Sequence, residues 1–84
     1  MEGATTMYTH SVKSIESACN CLGMTYPAFI RKTTKGYICQ WAPQVPFIDV
    51  VGKAAATEAV TRLRRECKMR ARLSSSGNLI VPHN

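Results

Sequence analysis

Between Arg62 and Arg72 the chain carries Arg62, Arg64, Arg65, Lys68 and Arg72. If this stretch is helical, Arg64, Lys68 and Arg72 stand in one row at i, i+4 and i+8, with Arg62 and Arg65 beside them. Such groups combine a positive charge with several N–H donors. They suit phosphate oxygens or the carboxylates of an acidic protein surface. The competing reading is a solvated helix face, partly neutralised by Glu58–Arg62 and Glu66–Arg70 at i,i+4 and favoured by the helix dipole. That reading accounts for Arg62 and Arg70. It leaves the Arg64–Lys68–Arg72 row unexplained. Lys53 is a further candidate, because a cation at a helix start meets the positive end of the dipole. An anion held by the free N–H groups of the first turn would relieve that conflict; simple exposure would also let the site tolerate it.

Other chemistry is poorly supplied. Cys19 and Cys21 are two apart, the wrong spacing for a zinc knuckle, and on a helix their thiols diverge. Only His10 and His83 could join them, so neither a metal nor another cofactor is expected. There is no Ser/Cys–His–acid set, no carboxylate pair in a recognisable context and no glycine-rich phosphate loop. Asp49 stands alone in an apolar stretch. The protein is therefore read as a binder and not an enzyme. Tyr37 and Trp41 share a strand face, where they would stack on bases or meet a partner if that face is open. Under a helix they would be core.

The elements that position these residues follow from periodicity. Ser11 is suited to cap a helix over Val12–Leu22, with Val12, Ile15, Cys19 and Leu22 on one face and Gly23 to end it. Tyr26–Lys32 reads as a first strand, with Pro27 near its start. Thr33, Thr34, Lys35 and Gly36 have hairpin chemistry. In Tyr37–Ala42 the alternation puts Tyr37, Cys39 and Trp41 on one face. Pro43 and Pro46 make a corner, and the β-branched run Phe47–Val51 reads as a third strand ended by Gly52. From Lys53 to Leu73, Ala56, Ala59, Val60, Leu63, Cys67 and Ala71 line one face of a long helix. Ser74–Gly77 breaks it, and Asn78–Pro82 forms a last strand. The expected fold is α+β, in the order α-β-β-β-α-β. An antiparallel sheet of three or four strands is covered by the long helix, around Ile30, Ile38, Ile48, Val50, Val60, Leu63 and Cys67.

Eighty-four residues make one small domain, here 11–84 after a short polar tail at 1–10. The net charge of +6 favours nucleic acid, an acidic protein or anionic lipid, without choosing among them. No basic N-region precedes a hydrophobic run, and no apolar stretch approaches the ~18 residues of a membrane span, so a cytoplasmic location is expected. The four cysteines are read as free thiols, since three of them sit on apolar faces.

Residues 26–84 resemble the N-terminal domain of HicB-type antitoxins. The resemblance is carried by the Tyr26-Pro27 strand opening, the Gly36-Tyr37 start of the next strand and the Pro43-Gln44-Val45-Pro46 corner. It continues in the five residues to Gly52, Glu58-Ala59 in the following helix, and the closing Gly77, Ile80 and Pro82. The family's acidic helix is here basic, the separate DNA-binding domain that many members carry is not among these 84 residues, and residues 1–24 are an addition. The resemblance implies a non-catalytic inhibitor that occupies a small toxin ribonuclease or another nuclease complex, and it implies a homodimer. A looser similarity to double-stranded RNA-binding domains rests on the helix–strands–helix order and on Gly52-Lys53-Ala54-Ala55 before a helix. It implies phosphate contacts through that helix. Of the two, the strand–corner–helix pattern is the more specific, and it points to a protein partner.

Overall fold

The computed structural model describes residues 10–24 and 27–83. The elements run α1 Val12–Cys21, β1 Phe29–Thr33, β2 Gly36–Gln40, α2 Phe47–Val51, α3 Lys53–Glu66, β3 Arg72–Leu73 and β4 Leu79–Pro82. The four strands form one antiparallel sheet in the order β1-β2-β4-β3, so the class is α+β as expected. Tyr26 and the tail at 1–9 lie outside the described residues.

Helix α1 begins where the sequence places it. The Ser11 hydroxyl accepts the Ser14 N–H at 3.1 Å, satisfying one otherwise free donor of the first turn. Ile15, Ala18 and Cys19 are buried, and the chain leaves the helix through Gly23 at φ 73°. In the hairpin, Thr33 Oγ1 donates to the Gly36 carbonyl at 2.9 Å and accepts from Lys35 N–H at 3.2 Å. Strand β2 then pairs with β4 on its other side, Tyr37 opposite Val81 and Cys39 opposite Leu79. Directly opposed residues share a sheet face. These four side chains are buried with Ile15, Cys19, Val60 and Leu63, so the helices cover this face.

Two elements differ from the sequence reading. Phe47–Val51 is a short helix and not a third strand; the place beside β2 is taken by β4. Its residues are β-prone, but Phe47 stacks on Trp41 at a centroid distance of 3.6 Å and 13° between planes. Folding back over Trp41 turns the chain at Pro46, whose carbonyl accepts from Asp49 N–H at 3.0 Å. Asp49 then sits in the first turn, near the positive end of the dipole. Tertiary contact outweighs propensity here. Helix α3 also stops short, at Glu66 instead of Leu73. The Leu63 carbonyl accepts from Cys67 and Met69 N–H at 3.2 Å each, and Lys68 between them has φ 59°. Beyond it Met69 and Ala71 are buried while Lys68, Arg70 and Arg72 point out. That is a period of two, and a continued helix would bury one of those cations instead.

The core shifts accordingly. Of the expected members, Val60 and Leu63 are buried, while Ile30, Ile48 and Cys67 pack at its margin. Val50 is 51% exposed, and Ile38 lies on the opposite sheet face.

All four cysteines are free, with Cys19 buried and Cys21 exposed on diverging sides of α1. Burial, then the neighbouring Cys67 and Glu16 charges, push the Cys19 thiol up to about 11. Burial, then Cys19, pushes Cys39 up to about 12. The folded protein thus holds these protons more tightly than the unfolded chain. Their contribution is intact below the ordinary thiol pKa of ~8.5 and is lost as pH rises toward the folded values. The melting temperature should therefore fall steadily between about pH 9 and pH 11. Serine at both positions, if the variant folds, should flatten that fall; an unchanged slope would refute the assignment.

Candidate anion-binding interface

The extended segment after α3 creates the site. Arg64 Nε donates to the Ala71 carbonyl at 2.7 Å, tying the last turn of the helix to the start of β3. With Met69 and Ala71 held inward, Lys68, Arg70 and Arg72 are presented on the outer side. Together with Arg64 and Pro82 they line an open cleft of about 730 Å³. None of the residues lining it is acidic. Four cations around one opening focus positive potential there, and an anion seated between them relieves their mutual repulsion.

The cleft continues onto the sheet. Arg72 and Pro82 also border a second depression of about 290 Å³, formed with Lys35, Ile38 and Ile80. Ile38 and Ile80 are directly opposed on β2 and β4, on the face away from the helices. Arg31 is opposite Ile38 and Arg72 opposite Ile80, so the row across the whole sheet reads Arg31, Ile38, Ile80, Arg72. No described element covers this face.

The structure divides the six cations expected from the sequence. Arg64, Lys68 and Arg72 do come together, but as a turn and a strand end and not as a helical row. Lys53, Arg62 and Arg65 line a different groove along α3, which also contains Glu58. Arg62 is engaged within the fold, since its Nη1 donates to the Leu22 carbonyl at the end of α1 at 3.1 Å and its Nε pairs with Glu66 at 3.4 Å. A cation suits that carbonyl end. The exposed pair itself contributes ~0.5 kcal/mol at most. The expected Glu66–Arg70 pairing does not occur, because Arg70 is off the helix.

Tyr37 and Trp41 are 8% and 5% exposed, which corrects the expectation of a partner-binding face there. Their face is the one the helices cover, and Tyr37 meets the His83 ring edge-on at 5.9 Å. The sequence reading names none of Arg70, Arg31, Lys35 or Phe29 as a site residue, and it assigns Arg70 to an ion pair with Glu66. The signal for Arg70 was legible: Cys67, Met69, Ala71 and Leu73 alternate with Lys68, Arg70 and Arg72.

Among the described residues, no group of three or more His, Cys, Asp or Glu is placed to hold a metal ion. No described helix is long and apolar enough to cross a membrane. No protein-family model, curated protein or solved structure matches the chain.

Proposed function

We propose that this protein binds nucleic acid through its phosphates at the Arg64–Lys68–Arg70–Arg72 cleft and carries out no covalent chemistry of its own. The observation that carries this reading is the convergence of four cations on one opening lined by no acid. Phosphate contact is sequence-independent, so affinity is set by charge and salt more than by base order. The double-stranded-RNA-binding similarity implies contact through the helix that starts at Lys53. That residue sits in the other groove, beside Glu58.

A HicB-like inhibitor of a nuclease is the second reading, favoured by the sheet face that no described element covers. Phe29, 46% exposed, with Ile38 and Ile80, offers the apolar area that a protein partner buries. Charge opposes it. A nuclease surface that holds nucleic acid is itself positive, and a +6 chain would be repelled from it. Fluorescence anisotropy with labelled ~20-nucleotide RNA and DNA of unrelated sequences distinguishes the two, because screening is weak at ~50 mM salt. The proposal expects saturable binding to all of them. No binding to either polymer at that salt would discard it.

A further inference from the structure

We infer that the sheet face turned away from the helices, beside the cleft, is a platform for single-stranded nucleic acid. Bases lie on Phe29 and the Ile38–Ile80 floor, and phosphates on the cations that flank them. The inference rests on the nucleic-acid reading above and specifies its ligand.

The sheet register builds the platform. The row Arg31, Ile38, Ile80, Arg72 places a guanidinium on each edge strand and two aliphatic side chains between them. Three strand spacings separate the two cations, about 14 Å. One row along, Phe29 is opposite Gln40 on the same face and is 46% exposed. Arg72 and Pro82 belong both to this face and to the basic cleft, so the charged and apolar surfaces are continuous.

An apolar floor between cations selects among anions. A duplex turns its phosphates outward and keeps its base faces stacked inside, so Phe29, Ile38 and Ile80 would add nothing to its binding. A single strand leaves base faces uncovered. An aromatic ring and aliphatic side chains beside its phosphates can then bury them. A second copy of this chain fits less well, because apposed sheets would bring Arg31 and Arg72 against like charges.

The test compares one sequence as a single strand and as a duplex, titrated against the 84-residue chain at fixed salt. The single strand should bind more tightly. Phe29→Ala should weaken it about fivefold or more while leaving duplex affinity unchanged, and Phe29→Tyr should restore it. Phe29→Trp supplies a second readout that does not depend on lost binding: its fluorescence should be quenched by the single strand. Equal affinity for both forms, with no effect of Phe29→Ala and no quenching, would overturn the platform and leave the phosphate cleft standing. Binding to polyglutamate but to neither nucleic acid would overturn both readings and identify an acidic protein surface as the ligand.

Discussion

Gly36→Ala should remove about 3 kcal/mol or more of stability, a large share of what an 84-residue domain has. Gly36 is buried between the hairpin and β4, directly opposite Pro82. A Cβ there would run into the Val81 carbonyl and the Pro82 backbone, which cannot move aside as a flexible side chain would. Its φ of 143° adds backbone strain for any L residue. Both effects act where β2 meets β4, at the centre of the sheet. Denaturant unfolding of the variant measures the loss directly. A change below about 1 kcal/mol would mean that β4 does not lie against β2 as described.

The largest effect on binding should come from reversing Lys68, Arg70 and Arg72 to Glu together. Arg64 is left in place because its Nε holds the Ala71 carbonyl, so its loss would confuse folding with binding. Each phosphate contact contributes a log K–log salt slope of ~0.7 to 0.9, which at ~50 mM salt is about tenfold in affinity. Three lost contacts therefore predict a loss of about three orders of magnitude, alike for every sequence. The fold should survive, since all three side chains are exposed and the buried alternation of Met69 and Ala71 is untouched. Reversing Lys53 and Arg65, in the groove that already holds Glu58, should have a much smaller effect.

Where local signals and tertiary packing agree, the sequence is easy to read. Ser11, the Ile15–Cys19 spacing and Gly23 delimit α1 to within a residue, and the alternation of Tyr37 and Cys39 yields β2 and its buried face. The reading fails at Phe47–Val51. Four of its five residues, Phe47, Ile48, Val50 and Val51, are β-branched or aromatic and suit a strand equally well, and the Trp41–Phe47 stack that decides for a helix is a contact across the proline corner that no periodicity announces. It fails again after Glu66, for a different reason. Cys67 and Ala71 satisfy a helical period while Cys67, Met69, Ala71 and Leu73 satisfy a strand period. Both patterns are present, and the left-handed Lys68 that ends the helix is not a glycine. The site inherited that error. The cations were found, but as a straight ridge, and Arg70 was assigned to a surface ion pair.

The measurement that bears most directly on phosphate binding at the cleft is a salt titration of affinity, for the wild type and for the Lys68→Glu, Arg70→Glu, Arg72→Glu protein. Plotted as log K against log salt, the wild type should fall steeply and the variant should be flatter by about 2 to 3 units. Parallel lines, or a wild type with no measurable affinity for RNA or DNA at ~50 mM salt, would contradict it.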